Sequence, residues 1–215
     1  MREKLQEMPV SYNKIAGQSV ERLAALSDGV FAVAMTLLLL ELHAPAQDVI
    51  RSESDLLHAM AAFGPRLAVY LMSFLTLGIF WMGLQTQLNY LQRSDRNLSW
   101  LHLAFLFAVT LMPVSTRFLT EFAQYRSALL AYWANILLLG VILYLSWGCA
   151  TRAHLIKDEI PPEVPSAICR RIVVGQVLYA FGALLCVFNS YWSIAFIVLV
   201  QMYFAIAPRL GGRAA

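Results

Sequence analysis

Three polar side chains interrupt an apolar stretch near the start of the chain: Arg22, Ser27 and Asp28. The stretch covers residues 22–42 and is RLAALSDGVFAVAMTLLLLEL. At ~1.5 Å per residue, a helix of this length spans about 31 Å, which is the thickness of a bilayer's hydrocarbon core. A carboxylate inside such a helix is costly unless it is hydrogen-bonded, paired or hydrated. Asp28 is therefore a candidate functional residue.

The spacing of these polar residues predicts that each meets a different neighbour. Asp28 follows Arg22 by six positions, which places the two side chains about 120° apart around a helix. They cannot pair well within one helix, and Ser27 points in a third direction. We expect their partners to come from a neighbouring helix or a neighbouring subunit.

An apolar stripe follows the same helix at the spacing of one face. It consists of Arg22, Leu26, Gly29, Val33, Thr36, Leu37 and Leu40. One interpretation is ordinary packing between helices, with Asp28 as a structural hydrogen-bonding residue. The other is that symmetric copies of the helix surround an axis and the stripe lines a pore, because apolar rings can gate a pore by dewetting. Small residues beside the stripe permit close approach in both cases, so they do not discriminate.

The composition of the whole chain indicates a polytopic membrane protein of all-α class. Of 215 residues, 60% are hydrophobic and 13% are charged, and the mean hydropathy is +0.63. Soluble domains are closer to one-half apolar and one-quarter charged. We predict a single domain, residues 1–215, with six transmembrane helices at about residues 22–42, 67–91, 98–119, 127–150, 172–188 and 191–207.

Composition and motifs also disfavour other classes. The net charge is +3 and the basic residues are scattered, so no nucleic-acid-binding surface is expected. The three cysteines lie far apart without metal-ligand spacing, and no phosphate loop or catalytic constellation is present. We predict no enzyme activity, no cofactor and no bound metal. An intramembrane enzyme is disfavoured because no nucleophile, base and metal set converges.

Loop charges predict the topology. Four of the 16 Lys and Arg residues fall on one side, and the remaining twelve (16 − 4) fall on the other. The four are Arg51, Arg66, Arg117 and Arg126. By the positive-inside rule, both termini face the cytoplasm, in a cell inner membrane or plasma membrane.

Proline and turn residues predict where helices end or bend. Pro65 and Pro208 are expected at helix ends, and Pro113 should kink the third segment or end its regular part. Asn189 and Ser190 predict a tight turn that makes the last two segments a hairpin.

The first segment resembles the first helix of the transmembrane protein 175 family of potassium channels, in its bacterial form. That family carries an Arg, three variable residues and Phe-Ser-Asp, followed by a Gly-Val-Phe-Ala-type run. The matching residues are Arg22, Ser27, Asp28, Gly29, Val30, Phe31 and Ala32, and Leu26 replaces the aromatic residue. SFLTLGIFW at 73–81 is similar to the family's second helix, and LMPVSTRFLTEF at 111–122 to the end of its third.

The resemblance implies a homotetramer in a lipid bilayer, with the first helix of each subunit lining a central path for monovalent cations. Potassium would be the preferred permeant ion, without the carbonyl-lined TVGYG filter of ordinary potassium channels. It further implies roles for seven residues: a pore constriction at Val33, Leu37 and Leu40, a pore-lining hydroxyl at Thr36, and a structural polar network of Arg22, Ser27 and Asp28.

The sequence leaves the completion of that network open. Family members often have a histidine three residues after the tryptophan of the second helix, and this chain has Leu84 there. Gln85 or Gln87 would be a neutral donor in its place. His102, in the third segment, is a further candidate to join Asp28 at a similar depth.

An alternative function comes from a different class. In a proton-coupled small-molecule transporter, Asp28 would relay the proton, and a monomer with broken helices would be expected instead of a central pore. Glu41, at the outer end of the first segment, is either a ring of charge at a pore mouth or a solvated interfacial residue.

Overall fold

The computed structural model describes residues 19–40, 42 and 50–206. Within them the chain forms seven α-helices: α1 Val20–Leu40, α2 Glu53–Tyr90, α3 Arg96–Thr110, α4 Met112–Glu121, α5 Arg126–Arg152, α6 Glu163–Leu184 and α7 Ser190–Ile206. α3 and α4 form one apolar span, so the helices correspond to the six predicted segments. Five spans are long and apolar enough to cross a membrane, and the span at Ser190–Ala205 is shorter. The predicted all-α, polytopic class is confirmed.

Glu41 and Pro208 lie outside the described residues. α1 ends at Leu40, two residues before the predicted end of the first segment at Leu42. α2 departs furthest from expectation, because it begins at Glu53 and not near residue 67. Ser52 caps its start, and the Ser52 hydroxyl accepts a hydrogen bond from the Asp55 amide at 3.1 Å. Pro65 lies inside this helix, so the prediction of a helix end there is wrong. A helix of 38 residues is about 57 Å long and must extend beyond the apolar layer, where water can satisfy the carbonyl that a proline leaves free.

The break predicted at Pro113 is confirmed, since α3 ends at Thr110 and α4 begins at Met112. The Asn135 side-chain amide of α5 bridges the break, in the orientation that bonds both the last turn of α3 and the first turn of α4. Its Nδ2 then donates to the Ala108 carbonyl at 3.1 Å, and its oxygen accepts from the Met112 amide at 3.2 Å. In an unbroken helix these two backbone groups would bond each other.

α6 begins at Glu163, nine residues before the predicted boundary, so Arg170 and Arg171 are helical. It ends in a 3₁₀ turn at Leu185–Val187. The Asn189 side chain then accepts a hydrogen bond from the Tyr191 amide at 2.8 Å, at the start of α7. The predicted hairpin is therefore confirmed.

The helices pack so that α1 and α6 contact different neighbours. α1 packs against α2, α3 and α4, whereas α6 packs against α5 and α7. At one end of the bundle, an isolated β-bridge joins Leu91 to Ile156, and the Lys157 ammonium donates to the Asn89 carbonyl at 2.7 Å. These contacts place the α2–α3 and α5–α6 loops on the same side, as the predicted topology requires.

Candidate pore-lining helix

One face of α1 is buried within the protomer. Ser27, Phe31, Ala34 and Leu38 are each at most 2% exposed, and they recur at helical spacing. The ring of Phe31 lies 6.2 Å from that of Phe105 in α3, centroid to centroid. This face seats α1 against its neighbours and fixes which side of the helix points away from the protomer.

The predicted apolar stripe lies on the outward side of α1. All seven of its members are exposed: Arg22, Leu26, Gly29, Val33, Thr36, Leu37 and Leu40. The exposed fractions of Val33, Leu37 and Leu40 are 57%, 42% and 69%. The stripe is thus not sealed inside one protomer, and lipid or other copies of the chain must cover it.

The Thr36 hydroxyl, on the same face, donates to the Val33 carbonyl at 2.8 Å. That bond uses its only proton and leaves oxygen lone pairs as acceptors. In the outward stripe, Thr36 therefore presents an acceptor oxygen, which is the group that a cation needs.

Ser27 is fully buried and forms the tie between α1 and α3. Its hydroxyl lies 2.6 Å from His102 Nε2 and 2.7 Å from the Leu23 carbonyl. When the single hydroxyl proton goes to the carbonyl, the histidine must donate through Nε2–H. The sequence leaves His102 open as a partner of Asp28. Among the described contacts its hydrogen bond is to the neighbouring Ser27, so it joins the polar network through the serine.

Asp28 forms the tie between α1 and α2. One carboxylate oxygen accepts from Trp81 Nε1 at 2.8 Å and from Gln85 Nε2 at 2.7 Å. Gln85 is thus the neutral donor that the sequence left open, whereas Gln87 donates to the Leu143 carbonyl. Because both donors are neutral, they orient the carboxylate without cancelling its charge.

Trp81 is a member of this site that the sequence analysis did not single out. The available signal was its spacing from Gln85: the two are four residues apart on α2 and so share a face. A tryptophan N–H in an apolar setting also requires a partner. Their joint position opposite a carboxylate appears only once α1 and α2 are packed.

Arg22 is exposed, and its backbone N–H donates to the Ser19 hydroxyl at 3.3 Å. Within the described residues no ion pair joins Arg22 to Asp28, in agreement with their predicted separation around the helix. Ser27 and Asp28 do meet different helices, as their spacing predicted.

A second polar cluster, also missed from the sequence, lies in the protomer core. The Tyr132 hydroxyl contacts Thr76 at 3.1 Å and Ser73 at 3.3 Å. Thr116 donates to Ser73 at 2.8 Å, and Gln201 Nε2 donates to Thr76 at 2.6 Å. All five side chains are at most 1% exposed, so the cluster links α2, α4, α5 and α7 internally.

Comparison with known proteins identifies the family. Residues 22–113 match the family model described as "Endosomal/lysosomal potassium channel TMEM175". A potassium channel of Streptomyces collinus is 30% identical over 188 residues, which cover 85% of this chain and 90% of that one. The chain belongs to the TMEM175 family. A potassium channel of Chamaesiphon minutus is 26% identical, over 86% of this chain and 93% of its own length.

The fold agrees with that assignment. The crystal structure of "a lysosomal potassium-selective channel TMEM175 homolog" from Chamaesiphon minutus superposes with a TM-score of 0.73 at 25% identity, over 86% of this chain and 96% of that one. The human endosomal/lysosomal proton channel TMEM175 is 27% identical over 85% of this chain, which spans only 36% of the human protein. The chain thus matches its bacterial relatives over nearly their whole length, and the human protein over about one-third.

Proposed function

We propose that this chain is a potassium-preferring cation channel, in which four copies surround a pore lined by α1. The bacterial relatives that the chain matches over nearly their whole length are named potassium channels. The observation that carries the pore assignment is the outward orientation of the complete α1 stripe, opposite a face held by buried contacts.

In this proposal Val33, Leu37 and Leu40 form apolar rings at the narrowest part of the pore. The stretch from Val33 to Leu40 rises about 10 Å along the helix axis. An apolar ring compensates little for lost hydration, so conduction requires the constriction to be wetted. The Thr36 oxygen supplies an acceptor within this stretch, and selectivity between cations is expected to be modest.

The polar residues on the N-terminal side of the constriction fix the rotation of α1 about its own axis, and this rotation directs Val33, Leu37 and Leu40 toward the pore. Ser27 binds α3 and Asp28 binds α2, so rotation of α1 breaks both ties. The exposed Arg22 is placed to bind a neighbouring copy. In this role Asp28 is a structural residue and not an ion ligand.

The decisive test compares two leucines of α1 in liposomes. Leu37 and Leu39 are exposed by 42% and 57%, but they lie about 160° apart around the helix. Leu37→Ala should widen the pore, raise conductance and remove most of the potassium-over-sodium preference measured from bi-ionic reversal potentials. Leu39→Ala should leave that preference unchanged, because its side chain lies off the stripe.

Two outcomes contradict the proposal. Unchanged reversal potentials in Leu37→Ala would show that Leu37 does not form the constriction. A purified particle containing one chain, with pH-driven substrate uptake that Asp28→Asn abolishes, would support the proton-coupled transporter instead. Proton flux measured in the same liposomes separates the potassium path from the activity for which the human relative is named.

A further inference from the structure

A crevice of about 80 Å³ opens among α2, α5, α6 and α7, on the part of the protomer away from α1. Its walls are mainly apolar, with Phe80 and Gly83 from α2, Leu143 from α5 and Phe204 from α7. A single water requires only about 10–15 Å³ measured in this way, so the crevice is larger than a hydration site.

One face of α6 lines the crevice with an ordered set of groups. Arg171, Gly175 and Tyr179 are spaced by four residues and therefore lie above one another. A Cβ added at Gly175 would meet nothing within 4 Å, so the glycine leaves open space one turn below the arginine. This face thus places the Arg171 guanidinium at the rim of the crevice, an open space at Gly175, and Tyr179 furthest along the helix.

Two polar atoms in the crevice wall have no hydrogen-bond partner among the described residues. They are the hydroxyl of Tyr179, a residue only 2% exposed, and Oε1 of Gln176. Gln201 is the side chain that interacts with the Tyr179 hydroxyl, and its Oε1 is also buried. Both wall atoms are shielded, so the groups that a ligand can reach are the arginine at the rim and the open space at Gly175.

The rim of the crevice carries an available positive charge. Arg171 is exposed, and within the described part of the chain it makes no ion pair. It lies beside the start of the apolar part of α6, on the same side of the bundle as the α5–α6 loop. Basic pockets between transmembrane helices at this level bind lipid phosphates.

We propose that this crevice binds one anionic phospholipid per protomer. The phosphate pairs with Arg171, and one acyl chain lies in the gap at Gly175. Val173, Val174 and Val177 are exposed on the same helix, so the site is approached from the bilayer.

The test measures lipid binding by native mass spectrometry of the full-length protein. Phosphatidylglycerol and phosphatidylcholine with identical acyl chains are offered in equal amounts. The wild-type protein should retain phosphatidylglycerol preferentially. Arg171→Gln should reduce that preference about fivefold, the factor expected from ~1 kcal/mol per basic residue near an anionic lipid surface.

Matched variants separate the charge from the cavity. Arg170→Gln removes the adjacent charge, which does not line the crevice, and should change nothing. Arg171→Lys should keep most of the preference. Gly175→Leu should fill the open space and remove the retained lipid. The Cβ of the new side chain meets nothing within 4 Å, and an unchanged thermal unfolding temperature is the control for folding.

Three results would overturn the assignment: no preference for phosphatidylglycerol in the wild type, an equal loss of preference in Arg170→Gln and Arg171→Gln, or full lipid retention in Gly175→Leu. Glycerol phosphate, which lacks acyl chains, should not displace the lipid, and displacement would indicate a free-anion site instead. These experiments measure lipid binding and not cation flux, so they test the lipid site independently of the proposed channel activity.

Discussion

α1 and α6 are both poorly covered by their own protomer, yet they are held in different ways. Only 22% of the apolar stretch of α1 is buried, and 17% of that of α6, whereas the α3–α4 span is 50% buried. α1 is tied by directional bonds from Ser27 and Asp28.

α6 is tied through backbone carbonyls and by close fit. The Ser193 hydroxyl of α7 donates to the Gly182 carbonyl, and Trp147 Nε1 of α5 donates to the Pro165 carbonyl at 3.2 Å. A Cβ at Gly182 would lie 2.8 Å from Ile197 of α7.

A second close approach joins α6 to α5. Gln176 occupies the space that Gly140 leaves by having no side chain. Close backbone approach gives dispersion energy, but it sets the rotation of a helix less sharply than hydrogen bonds do. Exposure alone therefore does not distinguish the two helices. They differ in the kind of anchor, because the ties of α1 join polar side chains to each other, whereas those of α6 join side chains to backbone carbonyls.

The largest expected effect comes from removing the anchor of α1 to α2. Asp28→Ala should cost about 3 kcal/mol, since it leaves Trp81 and Gln85 without the charged acceptor of two hydrogen bonds. Asp28→Asn should cost roughly half of that, because its carbonyl still accepts. Denaturant titration in detergent and the tetramer fraction measure the effect, with Glu163→Gln at the start of α6 as the control. Equal losses in the control and Asp28→Asn would refute the difference in anchoring.

Adding a methyl group at a glycine should destabilise the packing of α6 more than that of α1. Gly182→Ala should destabilise the protomer by ~1–3 kcal/mol, because the added methyl overlaps Ile197 and Phe196 of α7. Thermal unfolding in detergent gives the comparison with Gly175→Ala on the same helix, where the added methyl meets open space. Similar destabilisation by both substitutions would show that helix propensity, and not the fit to α7, is being measured.

Loss of the Ser27 tie should have an intermediate effect. Ser27→Ala should cost about 1 kcal/mol, because it removes the buried partner of His102. The matched control is Ser166→Ala on α6, whose exposed hydroxyl bonds only the Glu163 carbonyl of its own helix. Hydrogen exchange of α1 amides should increase in the first variant alone, and an unaffected α1 would argue against anchoring through this serine.

The smallest effect on the protomer should come from Gly29→Ala in α1. No atom of the protomer lies within 4 Å of the added methyl, and alanine favours a helix over glycine by up to ~1 kcal/mol. The isolated protomer should therefore be unchanged or slightly stabilised. If the outward face of α1 meets other copies, the same substitution should lower the tetramer fraction. An unchanged fraction would place lipid against this face.

Much of this architecture could be predicted because its causes are local. Apolar runs of bilayer length locate the spans, and Pro113 locates the break between α3 and α4. The wrong prediction of a helix end at Pro65 also has a physical reason. Any proline lacks a backbone donor, but whether a helix continues through it depends on the solvent around that turn, which the sequence does not specify.

The sequence by itself determined that Ser27 and Asp28 need separate partners, since their angular separation follows from helix geometry. Only the tertiary structure decided that His102 meets the serine, and that Trp81 and Gln85 meet the carboxylate. Those pairings depend on the rotation and axial register of α2 and α3 relative to α1. Rotation and register arise from packing over the whole interface, and no short segment of sequence encodes them.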